Sequence, residues 1–142
     1  MFFVFDLDGT LADVEHRKHH VRGKNRDWPA FFKECTDDGP NKPVIAALLA
    51  LKAAGHRIEI WSGRSDEVKA ETLAWLEANG IDPALLTNMR PEKDYQPDDA
   101  LKRQWLLAAD TRPDAIYDDR NKVVDMWRAE GIPCFQVAPG DF

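Results

Sequence analysis

One stretch near the start of the chain decides the fold: Phe2-Phe3-Val4-Phe5-Asp6-Leu7-Asp8-Gly9-Thr10. Its apolar beginning is typical of a central strand that is buried on both faces. The strand ends at two aspartates and a glycine, and open α/β sheets bind their ligands beyond the carboxyl ends of the strands. Two carboxylates this close repel each other and attract a divalent cation. The stretch therefore predicts a buried strand that carries Asp6 and Asp8 into a polar site.

Two other interpretations of this stretch involve no catalysis. Asp and Gly are common at strand ends, so Asp6 and Asp8 could be simple turn residues. A calcium-binding loop is the second alternative, but such loops lie between helices and need a later glycine and a distal glutamate. Here Gly9 comes early and a strand precedes it. The catalytic interpretation is therefore favoured.

The composition is that of one soluble globular domain. The 142 residues are 44% hydrophobic and 31% charged, with a net charge of −6, so any contact with nucleic acid must be local. The two cysteines, Cys35 and Cys134, are expected to be reduced and buried. The apolar start is too short for a signal peptide or a membrane span. We therefore expect a cytoplasmic protein without a membrane partner.

Helix-like and strand-like segments alternate along the chain. After the first strand, helices are predicted over 30–36, 44–54, 66–79, 98–109 and 121–130, and strands over 57–61, near 85–86, over 114–117 and over 133–137. This alternation predicts an α/β, three-layer Rossmann-like fold, with a parallel sheet and helices on both faces. Right-handed crossovers then bring the strand ends to one edge.

Three of these strand ends carry chemically useful side chains. Besides the first pair of aspartates, Ser62-Gly63-Arg64 follows the second strand, and Asp118 and Asp119 follow a later one. A hydroxyl group and a glycine before a helix N-terminus favour phosphate binding, although a simple helix cap is an alternative. Lys102 lies near the start of a helix, where it opposes the helix dipole. A surface lysine is still the commoner explanation of that position.

A basic run, Glu15–Arg26, directly follows the carboxylate turn. It is either a solvated loop or a local basic flap that draws an anionic substrate toward the acids, and the sequence leaves both open. Its cations are Arg17, Lys18, Arg22, Lys24 and Arg26, and its histidines are His16, His19 and His20. A metal role for the histidines is disfavoured, because no cysteine is nearby and oxygen ligands are adjacent. We predict a flap or cap over about residues 14–40, in which Trp28 packs rather than stacks on a base.

The residues at the strand ends suit phosphoryl transfer. The negative charge of a phosphoryl group repels a carboxylate nucleophile unless a cation neutralises both. Asp6 can attack to form an aspartyl-phosphate, and Asp8 can protonate the leaving oxygen and then activate water. Asp118 can hold Mg²⁺ together with Asp6, with Asp119 in support, while Ser62 and Lys102 bind the phosphate oxygens.

The chain contains, in order, Asp6-x-Asp8-Gly9-Thr10, Ser62-Gly63-Arg64, Lys102 and Asp118-Asp119-Arg120. This set resembles the four motifs of the haloacid dehalogenase (HAD) superfamily of phosphatases. The segments Asp118–Trp127 and Phe135–Phe142 resemble more closely the 3′-phosphatase domains of bacteriophage polynucleotide kinase-phosphatases.

The resemblance implies a Mg²⁺-dependent phosphatase of the HAD fold. It assigns Asp6 as nucleophile, Asp8 as acid and base, and, as Mg²⁺ ligands, Asp6, the main-chain carbonyl of Asp8 and Asp118. The predicted substrate-binding residues are Thr10, Gly63, Arg64 and Arg90 from the motif segments, and Arg17, Lys18 and Arg22 from the basic run.

The expected substrate is a 3′-phosphate at a nucleic-acid end. A nucleotide or another small phosphate ester remains an alternative with the same chemistry, and a non-catalytic module that binds nucleic-acid ends is the least favoured. The sequence contains no Gly-x-x-x-x-Gly-Lys-Ser/Thr motif, so kinase activity is not expected from these residues. A separate kinase or ligase is a possible partner.

Overall fold

The central sheet consists of five parallel strands in a computed structural model that describes all residues, Met1–Phe142. The whole chain contains seven strands, two of which lie outside this sheet. In chain order they are β1 (Phe2–Phe5), β2 (Ala12–Asp13), β3 (Gly39–Pro40), β4 (Arg57–Ser65), β5 (Leu86–Arg90), β6 (Ala115–Asp118) and β7 (Cys134–Gln136). The sheet order is β5-β4-β1-β6-β7, and β2 pairs with β3 in a separate antiparallel ribbon. β1 is the middle strand, between β4 and β6.

Five helices accompany the sheet: α1 (Trp28–Lys33), α2 (Lys42–Ala53), α3 (Lys69–Ala78), α4 (Asp98–Ala108) and α5 (Asn121–Ala129). Alternate residues of β1 point to opposite faces. Phe3 and Phe5 pack with α2 and α3, while Phe2 and Val4 pack with α4 and α5. Both faces of β1 are therefore covered, which explains its continuous apolar run. The predicted α/β class is confirmed.

None of the helices combines the length and the apolar character that crossing a membrane requires.

The second predicted strand is longer than expected. It was predicted to end at Trp61, but β4 continues to Ser65, with register shifts against β5 beyond Ile60 and beyond Ser62. A short 3₁₀ helix, Asp66–Val68, then precedes α3, and the Ser65 side chain caps it by accepting a hydrogen bond from the Glu67 N–H. The predicted phosphate segment Ser62–Arg64 therefore lies in an irregular strand end, one residue removed from the helical turn.

The segment 14–40 has its own small core. The β2–β3 ribbon borders it, and two 3₁₀ helices, Glu15–His20 and Glu34–Asp37, flank α1. Asp27 caps α1 by accepting a hydrogen bond from the Ala30 N–H, and a proline lies in the first turn. The buried side chains of this core are Val14, Val21 and Phe31, with Trp28, Phe32 and Phe142 packed against them. Phe142 follows β7, so the segment after the last strand closes this core.

The two cysteines are unpaired and buried, as predicted. Burial raises the pKa of the Cys134 thiol to about 12 and also raises the pKa of Cys35. Neither is a reactive thiolate near neutral pH.

Candidate active site

Three buried aspartates meet where β1 and β6 end. One carboxylate oxygen from each of Asp6, Asp118 and Asp119 lies within 4.8 Å of the others. The two strands are neighbours, and the Asp6 N–H donates to the Tyr117 carbonyl oxygen at 2.9 Å. Parallel pairing of two strands that are far apart in the sequence thus brings their terminal carboxylates together.

This cluster has the properties of a site for a hard divalent cation. The Oδ2 atom of Asp119 is buried and has no hydrogen-bond partner. Gly9 lies beside it with a φ of 81°, and a Cβ at that position would collide with the Asp119 carboxylate. Asp118 is oriented by the Asp119 N–H and by the Trp127 indole N–H, at 2.8 and 3.2 Å. An all-carboxylate ligand set suits magnesium or calcium better than zinc or copper.

The electrostatics of the cluster also favour an added positive charge. Burial raises the pKa of Asp6 well above its ordinary value, and the charge of Asp118 raises it further, although Lys102 opposes both. Burial and the charge of Asp118 likewise raise the pKa of Asp119 to about 7. A bound cation would reverse these shifts by stabilising the ionised carboxylates.

Lys102 lies among these acids rather than on the surface. It is 1% exposed, and its ammonium donates to Asp6 Oδ1 at 2.7 Å and to Asp118 Oδ2 at 3.1 Å. Burial lowers its pKa, but the charges of Asp118 and Asp6 outweigh burial and raise that pKa well above its ordinary value. These partners account for a lysine in the first turns of a helix.

Ser62 and Thr10 are close to the same edge of the sheet. Phe5 pairs with Ile60 across β1 and β4, so Ser62 follows just beyond the level at which β1 ends. Ser62 is fully buried and its hydroxyl accepts a hydrogen bond from the Arg64 N–H at 3.1 Å. The Thr10 hydroxyl donates to Asp6 Oδ2 at 3.3 Å and lies 3.4 Å from Asp119 Oδ1.

The Asp8 carboxylate faces two arginines instead of the aspartate cluster. Arg17 donates to Asp8 Oδ1 at 2.7 Å, and Arg64 donates to the same oxygen. Both guanidinium groups also bind Asp38, with Arg17 at 2.6 and 2.7 Å and Arg64 at 3.2 Å. Burial would raise the pKa of Asp8, but the two guanidinium groups outweigh it and hold that pKa well below its usual range. The main-chain carbonyl of Asp8, the predicted metal ligand, is not part of these ion pairs.

The basic run is not a uniform solvated flap. Arg17 is fully buried and also donates to the Phe31 carbonyl oxygen at 2.9 Å. Lys18 is buried, pairs with Glu15 at 2.7 Å and lies 4.7 Å from the Phe142 ring centre. Only Arg22, of the three run residues predicted to bind substrate, is exposed. Arg17 turns inward because the buried Asp38 and the partly buried Asp8 need a positive partner.

The histidines of the run do not converge on a metal. His16 pairs with Asp38 at 2.7 Å, and His20 pairs with Glu34 at 3.0 Å.

Arg90 and Gly63 fix the loop that follows β5. The Arg90 guanidinium donates to the carbonyl oxygens of Gly63, Asp94 and Gln96 at 2.7, 3.0 and 2.8 Å. A Cβ at Gly63 would collide with the Asp98 carboxylate. The Arg90 guanidinium, predicted to bind substrate, thus makes these hydrogen bonds to main-chain carbonyl groups of the protein. These hydrogen bonds hold the loop after β5 against β4.

The predicted set omits two aspartates of the site. Asp38 lies within the predicted flap or cap, and nothing in the sequence indicates its arginine partners, which are distant along the chain. Asp98 lies four residues before Lys102 and 3.7 Å from its ammonium. That spacing places both on one helix face, and it is the signal that could have identified Asp98.

We expect Arg17→Met to destabilise the fold by about 1–3 kcal/mol, because it leaves the buried Asp38 and the partly buried Asp8 with fewer charged partners. Arg64 and His16 limit the loss, since they still contact Asp8 and Asp38. Urea unfolding at neutral pH measures the effect.

The matched control is Arg22→Met, which removes an exposed cation whose nearest carboxylate, Glu15, is 4.0 Å away. It should change the free energy of unfolding by less than about 0.5 kcal/mol. Equal effects of the two substitutions would show that the Arg17 ion pairs do not stabilise the fold.

A groove of about 730 Å³ leads to the aspartates. Its walls come from α1, the loop after β5, the start of α5 and Phe142, and Asp6, Asp8 and Asp119 lie in it. Its volume is in the range of small-molecule binding sites.

Comparison with known proteins identifies the family. Residues 1–142 match the model of the polynucleotide kinase PNKP phosphatase domain. The chain is 34% identical to a chain of the Pnkp1/Rnl/Hen1 RNA repair complex, with a TM-score of 0.84, and the match covers 99% of this chain and 43% of that one. A second structure of the Pnkp1/Rnl/Hen1 complex gives 34% identity, a TM-score of 0.83, and coverage of 99% and 46%. The chain thus spans less than half the length of these relatives.

More distant structures share the fold. The class C acid phosphatase from Bacillus anthracis has a TM-score of 0.62 at 18% identity, covering 85% of this chain and 52% of that one. The predicted resemblance is confirmed: the chain belongs to the polynucleotide kinase PNKP phosphatase-domain family, within the HAD superfamily of phosphatases.

Proposed function

We propose that this protein is a Mg²⁺-dependent phosphomonoesterase that removes a 3′-phosphate from nucleic-acid ends. The observation that carries the proposal is the single buried cluster of Asp6, Asp118, Asp119 and Lys102 at the end of the groove. Membership of the PNKP phosphatase-domain family supports a polynucleotide substrate. One relative is described as part of an RNA repair complex, which supports a role beside a separate kinase or ligase.

In the proposed first step, an Asp6 oxygen attacks phosphorus and the ester oxygen leaves with a proton from Asp8. The product is an aspartyl-phosphate and a free 3′-hydroxyl group. The Lys102 ammonium and the Ser62 hydroxyl stabilise negative charge on the phosphate oxygens. Asp6, Asp118 and the main-chain carbonyl of Asp8, with Asp119 in support, would hold Mg²⁺, which when bound neutralises charge on the phosphate and on the nucleophile.

In the second step, Asp8 removes a proton from water, which attacks the phosphorus and releases Asp6. The ion pairs with Arg17 and Arg64 keep Asp8 ionised at rest, and this form suits the second step. The first step needs a proton on Asp8, and the negative charge of a bound phosphate next to Asp8 favours that protonated form.

We further propose that residues 1–142 act as one catalytic domain, with the segment 14–40 as a cap beside the groove. The cap contributes Arg17, which holds Asp8, and Trp28, which lines the groove.

A substrate comparison tests the proposed function. Phosphate release is measured from a 3′-phosphorylated oligonucleotide, the same oligonucleotide with a 5′-phosphate, a 3′-mononucleotide and p-nitrophenyl phosphate, each with Mg²⁺ and with EDTA. We expect the highest kcat/KM for the 3′-phosphorylated oligonucleotide, and no release in EDTA until Mg²⁺ is restored. Preference for the mononucleotide would contradict the substrate assignment. Failure to release phosphate from any ester would indicate a non-catalytic binding module.

A further inference from the structure

Three of the basic side chains that line the groove, Arg26, Arg120 and Lys122, lie close enough for their charges to interact. The other basic residues in its lining are Lys33, Arg64, Arg90 and Lys93. Arg26 and Lys122 are exposed, and Arg120 is buried. Burial lowers the pKa of Lys122, and the charges of Arg120 and Arg26 lower it further, against the opposing effects of Asp99 and Asp98. Like charges held together repel each other, so an anion bound among them would relieve the repulsion.

Arg120 is fixed before any ligand arrives. Its Nε atom donates to the Phe142 carbonyl oxygen at 2.6 Å. Its guanidinium carbon lies 5.4 Å from the ring centre of Trp28 and 5.1 Å from that of Phe142. A cation held between two aromatic rings loses little conformational freedom on binding an anion.

The carboxylates near this cluster do not neutralise it. Lys122 lies 4.0 Å from Asp99, and Arg120 lies 4.0 Å from Asp98. Ion pairs of this length are weak, most of all at the surface. Arg17 and Arg64 differ, because they bind carboxylates at hydrogen-bond distance. Arg26, Arg120 and Lys122 therefore remain available to bind a ligand.

The cluster is also close to the reacting centre. Asp6 contacts Lys102 at 2.7 Å, Lys102 lies 3.7 Å from Asp98, and the same Asp98 oxygen lies 4.0 Å from Arg120. A ligand with one anionic group at Asp6 and a second a short distance along its chain can reach both places. Nucleic-acid strands carry phosphates at regular, short intervals.

We propose that Arg26, Arg120 and Lys122 form a second anion subsite, which binds the internucleotide phosphate next to the 3′-terminal nucleotide of the substrate. The inference rests on the proposed function and narrows its substrate to chains of at least two nucleotides. A free mononucleotide has no second phosphate and leaves the subsite empty.

The test compares three substrates: a 3′-phosphorylated dinucleotide, the same dinucleotide with an uncharged methylphosphonate linkage, and the 3′-mononucleotide. For the unmodified protein, we expect kcat/KM to be at least about tenfold higher for the natural dinucleotide than for either other substrate, mainly through KM. In the double variant Arg26→Ala/Lys122→Ala, the preference for the natural dinucleotide should fall to within about threefold of unity. Arg120 is left intact because it is buried and holds Phe142.

The control is Lys52→Ala/Lys69→Ala, which removes two exposed lysines that do not line the groove and so lowers the net charge equally. It should keep the dinucleotide preference. Equal kcat/KM values of the unmodified protein for the three substrates would contradict the subsite assignment. The same holds if the Arg26→Ala/Lys122→Ala variant keeps the dinucleotide preference. In both cases the phosphatase assignment stands. If no substrate releases phosphate, the proposed function itself fails.

Discussion

Asp6→Asn should reduce phosphatase turnover by at least about three orders of magnitude, because an amide cannot replace the carboxylate as nucleophile. The fold should persist. The amide has nearly the same size, and the substitution removes a charge that Asp118 repels. The lost ion pair with Lys102 opposes that gain. Steady-state phosphate release with Mg²⁺ measures the first effect, and thermal unfolding by circular dichroism measures the second.

Asp110→Asn is the matched control, since the Asp110 side chain is 83% exposed and lies outside the groove. It should retain the turnover of the unmodified protein. If Asp6→Asn kept substantial activity while folded, Asp6 would not be the nucleophile. If Asp6→Asn lost activity and also unfolded, the more conservative Asp6→Glu would test the nucleophile assignment. Glutamate keeps the negative charge and displaces only the attacking oxygen. That folded variant should be similarly inactive, and full activity in it would contradict the assignment.

Lys102→Met should destabilise the metal-free protein by about 3–5 kcal/mol, because it removes the cation from a buried group of carboxylates. Turnover with Mg²⁺ should fall by at least about a hundredfold, since the variant loses one of the charges proposed to hold the phosphate oxygens. Mg²⁺ should raise the melting temperature of the variant more than that of the unmodified protein, because the ion replaces part of the missing positive charge. Thermal unfolding with EDTA and with Mg²⁺ measures both stability effects.

The destabilisation of the metal-free protein by Lys102→Met should increase as the pH rises. Burial and Asp118 raise the folded-state pKa of Asp119 to about 7, whereas an unfolded aspartate titrates near about 4. A raised folded-state pKa stabilises the fold at low pH, and this contribution is lost as the pH rises through about 7. Removing Lys102 raises the carboxylate pKa values further, so the metal-free deficit should grow from pH 4 to pH 8.

The control is Lys52→Met, which removes an exposed lysine that pairs with Asp82 at 3.5 Å. It should change stability by less than about 1 kcal/mol at every pH. A Lys102→Met protein as stable as the unmodified one in EDTA at pH 8 would show that the acids do not need this cation.

The central strand and the meeting of its aspartates with those of β6 could be predicted from the sequence. An apolar run buried on both faces has few alternatives, and parallel topology determines which strand ends share an edge. The helix-dipole conflict at Lys102 left a surface lysine as the commoner explanation, so its place in the predicted site came from the chemistry of phosphoryl transfer and from the motif resemblance.

The positions of Arg17 and Arg90 could not be predicted. A run of charges does not show which member turns inward, since this depends on Asp38, whose side chain gave no signal of its own. Arg90 binds main-chain carbonyl groups, which every segment of the chain carries. The extension of β4 to Ser65 depends on an irregular pairing with β5, and a sequence period does not reveal such a shift.

The order of the strands has a consequence for how the protein is made. Of the five strands in the sheet, β1 is synthesised first, yet one of its neighbours begins at Arg57 and the other at Ala115. Contacts between such distant segments form slowly and expose apolar surface meanwhile. A nascent chain that has not reached β6 carries Asp6 without Asp118 and Asp119, which complete the cluster. The proposed catalytic site therefore cannot form until residue 119 has been synthesised.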